Sequence, residues 1–248
     1  MTASHALHFI PPGRRRGHVG IDQRFPNPVD KTNRLVCNIP IPFTPICNMA
    51  EQSDQTRNTL LCAAFAEIHR HGYQGAGITQ ILNKTRLTKG ALYHHFPTKH
   101  ALGLAVVDEV IAPRIHELIL TPLQNSAYPV QTLLDITLSI GERFGEENIL
   151  LGCPLNNLMQ EMSPLDSEFR QHLDTILTQW RATVESALRT GQQQGVVRAD
   201  VDCAAAALFT LSAWEGCIGV AKTLQSPSAF QTCMQQLHQY LRSLTTTP

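Results

Sequence analysis

From Gln55 onward apolar residues recur at helical spacing, and nowhere does the chain alternate apolar and polar residues as a half-buried strand would. That property confines it to an all-α fold, stabilised by packing helix stripes against one another. In the first helix Leu61, Phe65 and Ile68 fall at i, i+4 and i+7, Leu60 and Ala64 widen the stripe, and Gly72 supplies a residue able to take positive φ after the last turn. A second helix is expected from about Ile78 to Thr85, burying Ile78, Ile81 and Leu82, and a tight connection at Arg86-Leu87 leads into a third. Three helices joined this closely predict a three-helix bundle containing a helix-turn-helix. Further helices are expected from Thr98 to about Ile119, Val130 to Phe144, Leu155 to Met162 and Ser167 to Gln194. Pro122, Pro129, "LGCPLNN" and "SPLD" mark the breaks, and Asp200 or Asp202 is placed to cap an alanine-rich helix that follows.

The expected organisation is a module over residues 49–102 and a larger helical domain over 103–248. Residues 1–48 hold seven of the fifteen prolines and the run Arg14-Arg15-Arg16, with no helical or strand period. They are expected to be a disordered or mis-assigned extension, with translation starting at Met49; the rival reading is a basic arm adding phosphate contacts.

The apolar run from Cys203 to Leu211 falls short of the ~20 residues that span a bilayer, so no membrane association is expected. Seven cysteines at irregular spacing, with no C-x-x-C, indicate neither a disulfide framework nor a zinc ribbon, and a reducing cytoplasm fits best. The zero net charge hides an asymmetry. Residues 55–100 carry six Lys/Arg and five His against one acid, Glu67, whereas residues 101–248 carry eight Lys/Arg against fifteen Asp/Glu. A basic block of that size is the footprint of a polyanion-binding module.

Within it lies "LTKGALYHHFPTKHAL", Leu87 to Leu102. Thr88 is placed to cap a helix starting at Lys89, Leu87 to staple onto Leu92, and Pro97 to end it, with Thr98 capping the next. At about 100° per residue Leu92 and Phe96 share the core side, which turns Gly90, Tyr93 and His94 outward and leaves Ala91 and His95 on the flank. Adjacent histidines diverge too far to bind one metal, and the stretch offers no Asp, Glu, Ser or Cys for catalysis. A wholly basic, aromatic and small face suits duplex DNA: glycine permits close approach, lysines neutralise phosphates, and Tyr and His reach base edges or phosphate oxygens.

These residues resemble the tetracycline-repressor (TetR) family of transcription regulators. The resemblance runs from about Arg57 to Leu102, through a helix ending in "HGY", a short helix around "ITQIL", and "TKGALYHHFPTKHAL", close to the family's S/T-K-G-x-L/F-Y-x-H/Y-F-x-x-K-x-x-L. It implies a homodimer whose third helix enters the major groove of a palindromic operator in double-stranded DNA. Thr88, Lys89, Gly90, Ala91, Tyr93, His94, His95 and Lys99 would face that DNA. The sequence departs from the usual pattern at Gly77, where Ser or Thr caps the second helix, at Leu82 and Thr85, where alanines are usual, and at Arg86, which replaces a turn glycine. Arg86 is expected either to distort its turn or to repay a cost of order 1 kcal/mol through a phosphate contact.

"RTGQQQGVVRADVDCAAAALFTLSAWEGC" is similar to the late region of many family members, which implies a small-molecule effector domain and a dimer-forming helix pair. Ala204 to Ala207, Gly216 and Gly219 would allow close helix approach, and Phe230, Met234, Leu237, Leu241 and Leu244 form a stripe assigned to dimerisation. Cys153, between Gly152 and Pro154 at a helix start, is an effector or sensor candidate, because the amide field there can lower a thiol pKa. "GCxLxNL" segments occur in a subset of the family, some of whose members respond to electrophiles; the alternative role for Cys153 is a small buried hydrophobe. The competing class is an enzyme pairing Cys153 with His172. No cofactor or metal is implied.

Overall fold

The computed structural model describes residues 49–246, with side chains from residue 54 onward. The expectations for residues 1–48 lie outside the described residues. Helix α1 spans Met49–Gly75 and is interrupted at Gly72, whose φ of 75° starts a fresh turn. Its inner face, Leu60, Leu61, Ala64, Phe65 and Ile68, is buried as the spacing requires.

Helix α2 (Ile78–Thr85) has Gly77 as an N-cap without a side-chain bond. Arg86 closes it in the left-handed region at φ 59°, its amide donating to the Leu82 carbonyl at 3.0 Å. The turn therefore keeps its geometry despite lacking glycine, and the non-glycine residue carries the strain of roughly 1–2 kcal/mol. Thr85 takes up the neighbouring polar groups, its hydroxyl donating to the Leu82 carbonyl and accepting from the Leu87 amide. Helix α3 (Lys89–His95) is capped by the Thr88 hydroxyl, which accepts from the Ala91 amide at 3.1 Å.

Helix α4 runs from 99 to 124, capped by Thr98. It outlasts the expected end near Ile119 and passes Pro122 without breaking. The reason is local: π turns at Val107–Ile111 and His116–Leu120 precede Pro113 and Pro122, and a wider turn accommodates a ring that has no N–H and would clash with the preceding turn of an α-helix. Gly103 lets α4 come close to the body, since a Cβ there would lie 2.6 Å from Tyr73 and 2.7 Å from Phe169.

The remaining helices are α5 (Pro129–Phe144), α6 (Glu146–Leu151), α7 (Pro154–Met162), α8 (Ser167–Gln193), α9 (Cys203–Leu224) and α10 (Pro227–Ser243). Asp166, Asp202 and Ser226 cap the last three. Helices α5, α8, α9 and α10 pack around one another, with Trp180 and Trp214 edge to face at 5.6 Å.

Three expectations need correction. The stripe from Phe230 to Leu244 is buried inside the subunit, because α10 lies against α5 and α9; the exposed apolar residues of this pair are Leu208, Phe209, Val220 and Leu224 on α9. The sequence suggested no disulfide framework, yet Cys217 and Cys233 are joined, their Cα atoms 5.5 Å apart. They sit at equal distances either side of Gln225, the left-handed residue that folds α10 back along α9, so a tertiary hairpin pairs cysteines that sequence spacing did not. Finally, α9 extends well past Leu211 and is long and apolar enough to cross a membrane, although half of that stretch is buried within the subunit.

Candidate nucleic-acid interface and its link to the helical domain

Leu92 and Phe96 anchor α3 in the core, and Thr88, Lys89, Gly90, Tyr93 and His94 are exposed on its other side, Tyr93 to 47 %. Ala91 and His95 are half-buried on the flank. The His94 and His95 rings meet edge to face with centroids 5.1 Å apart. Among the described residues no group of three or more His, Cys, Asp or Glu could hold a metal ion.

The basic block is smaller at the surface than its sequence count. Arg57 pairs with Glu109 and stacks over Phe96 at 4.9 Å, which fastens α3's anchor to α4. Arg70 meets Glu147 at 2.8 Å, and the Lys84 ammonium lies 2.6 Å from the buried Glu67 carboxylate. Lys99 donates to the Gln74 carbonyl at 3.3 Å and lies over the Tyr73 ring, which leaves it half-buried at the edge of the candidate face. Lys89 and Arg86 remain exposed beside α3.

Behind this module a chain of polar contacts leads into the helical domain. Glu161 of α7 accepts the amides of Tyr73 and Gln74, at 2.8 and 2.7 Å, where α1 restarts after Gly72. His69 of α1 donates from Nε2 to the Gly152 carbonyl at 2.7 Å, and burial pushes its pKa below the usual imidazole range. His100 of α4 bonds Asp166 at the start of α8. These partners lie 66 to 88 residues apart in sequence, so no local signal marked them.

Cys153 occupies the far side of the Gly152 turn. The amides of Leu155 and Asn156 do face it, as its helix-start position predicted, but burial and the nearby Glu215 carboxyl outweigh them and hold the thiol pKa well above its ordinary value. The amides at this helix start therefore do not lower the thiol pKa, and Cys153, 7 % exposed, packs as a small buried group. His172 bonds Asp108 through Nδ1 at 2.8 Å, whereas the ionisable neighbour of Cys153 is Glu215, so the cysteine enzyme is not supported. Glu215 itself was missed; its signal is a lone acid within "LSAWEGCIG", with no cation three or four residues away.

A short helix set on a three-helix module, with a basic and aromatic outer face and an all-helical body behind it, defines a helix-turn-helix DNA-binding protein. Residues 60–106 match the family model described as bacterial regulatory proteins, tetR family, and residues 130–237 match the tetracyclin repressor-like C-terminal domain. The chain is 31% identical over 178 residues to transcriptional regulator AcuR of Cereibacter sphaeroides, an alignment covering 72% of this chain and 78% of that protein. It is 29% identical over 147 residues to the transcriptional repressor DhaR of Mycobacterium sp. strain GP1, covering 59% and 72% respectively. The crystal structure of regulatory protein TetR from Rhodobacter sphaeroides superposes with a TM-score of 0.67 at 27% identity, over 75% of this chain and 98% of that one. The chain belongs to the TetR family and is a DNA-binding transcriptional regulator with a ligand-binding C-terminal domain.

Proposed function

We propose that the protein is a cytoplasmic repressor that binds a palindromic operator as a homodimer and releases it when a small molecule occupies the helical domain. The observation that carries this reading is the exposed face of α3, in which Thr88, Lys89, Gly90, Tyr93 and His94 stand out from anchors Leu92 and Phe96 without an acidic residue among them. Ala91 and His95 flank the contact, and Lys99 offers its remaining N–H groups to a phosphate at the edge. The naming of DhaR as a repressor supports the sign of regulation.

Dimerisation uses the outward side of α9. Leu208, Phe209, Val220 and Leu224 are large apolar side chains left exposed along one helix, and a partner covering them removes that surface from water. Two α3 helices related by a two-fold axis then meet successive major grooves. An effector that binds better to a differently spaced dimer shifts the population away from the operator-bound form.

Selection of bound duplexes from a random pool tests this. A palindromic consensus whose binding weakens on Lys89→Ala supports the reading, and a non-palindromic or absent consensus defeats it. Light scattering coupled to gel filtration reports the dimer, which Leu208→Glu should split.

A further inference from the structure

Among the described residues Glu215 is the one whose buried side-chain polar atoms lack a hydrogen-bond partner, and this holds for both carboxylate oxygens. The side chain is 7 % exposed, on the inner side of α9 with buried Leu211, Trp214 and Ile218. No cation contributes to its electrostatics; its interacting neighbour is the Cys153 thiol, a weak donor that makes no well-formed hydrogen bond to it. Burying a carboxyl with neither oxygen satisfied is costly, and a structure that keeps one has the means to bind whatever satisfies it.

The unspent capacity defines that partner. Asn156 already commits its amide nitrogen to the Glu215 backbone carbonyl at 3.2 Å, and its Oδ1 accepts from Gln160. The two Glu215 oxygens therefore call for donors, and a positively charged N–H group supplies them while neutralising the charge that burial penalises. We propose that Glu215 is the recognition group of the effector site and that the effector carries a cationic nitrogen, an ammonium or amidinium, which it presents between α9 and the start of α7.

This rests on the regulator reading and adds the chemical class of its ligand. The site is also connected to the DNA-binding module. Cys153 and Asn156 begin the segment whose far end carries Glu161, the partner of the Tyr73 and Gln74 amides, and Gly152 holds His69. A ligand drawn against Glu215 moves the start of α7, and α7 is bonded to α1.

The probes are benzamidine and n-butylamine, with benzamide and butyrate as neutral and anionic counterparts, titrated calorimetrically into the full chain. Release of a selected operator duplex is followed by fluorescence anisotropy. Saturable binding of the amine or amidine is expected, with operator release, at least tenfold weakening in Glu215→Gln, and about tenfold weaker binding to the unaltered protein at pH 6 than at pH 8. The pH arm needs no variant, so misfolding of Glu215→Gln does not blunt the test. Butyrate binding that strengthens at low pH would assign a protonated Glu215 to an acidic ligand and overturn the proposal. So would amine binding indifferent to Glu215→Gln, or no amine or amidine binding up to about 10 mM. Failure of the unaltered protein to bind any duplex overturns the regulator reading instead; normal operator binding unaffected by either cationic probe overturns this proposal alone.

Discussion

Glu161, near the end of α7, accepts the amide of Tyr73 at 2.8 Å, so a carboxylate of the helical domain serves the DNA-binding module as a helix cap. Its second oxygen takes the Gln74 amide at 2.7 Å. Charge-assisted bonds to a helix start are the strong kind. Glu161→Ala should lower stability by about 1–2 kcal/mol and weaken operator binding more than the distance to α3 suggests. Thermal unfolding and duplex titration check both, and an unchanged midpoint would remove the capping role.

The surface accounting of cations makes a salt-dependence prediction. Lys89→Ala should reduce the slope of log K against log salt by about 1, because a phosphate contact and its released counterion are lost. Lys84→Ala should leave the slope unchanged, since that ammonium is held 2.6 Å from Glu67. It should instead destabilise the module, because Glu67 is then left buried without its lysine. Equal slope changes in the two variants would contradict the structure.

His69 and Glu215 give opposite pH limbs. The His69 pKa is lowered from 6.5 by burial, so the unfolded chain binds the extra proton more readily; the stability from neutral His69 is present above that value and lost as pH falls below it. The Glu215 pKa is raised from 4.5 to about 7 by burial, so the folded chain holds the proton more tightly and stability declines as pH rises through that window. Just below pH 6.5 the two limbs oppose one another. His69→Gln should expose the declining limb, and Glu215→Gln the rising one together with a gain of order 1–3 kcal/mol at pH 8. Denaturant titrations at several pH values decide it, and parallel profiles for both variants would refute the assignment.

Removing the Cys217–Cys233 link by a double serine substitution should cost about 3 kcal/mol, the expectation for a closed loop of this size. Adding a reductant to the unaltered protein should move its unfolding midpoint toward that of the variant, and no movement would mean the link adds nothing.

What the sequence made legible was local. Thr88, Thr98 and Asp202 cap the helices they were expected to cap, and Leu92 and Phe96 face inward, because these outcomes depend on residues within one or two turns. The missed features are those that the tertiary fold alone brings together. Cys153 sits at a helix start as expected, yet burial in the folded core, and after it Glu215 on another helix 62 positions away, push its thiol pKa up. The stripe of α10 was correctly apolar, but periodicity identifies a buried side without saying whether the cover is the same subunit or a second one. Helix α6, in "EENILL", was passed over because Gly145 and Gly152 bracket it so closely that no period accumulates.

The π turns of α4 bear on how relatives of this chain are aligned to it. Each wide turn takes up close to one residue more than an α turn, so the angular phase of every side chain beyond it falls behind that of a uniform helix by about 100°. Two such turns before Leu123 mean that a helix with an ordinary α turn in place of either one follows the same packing only if it is also one residue shorter there. Ungapped comparison through this helix would pair core positions of one protein with surface positions of the other, and the helix would look variable where its packing is preserved.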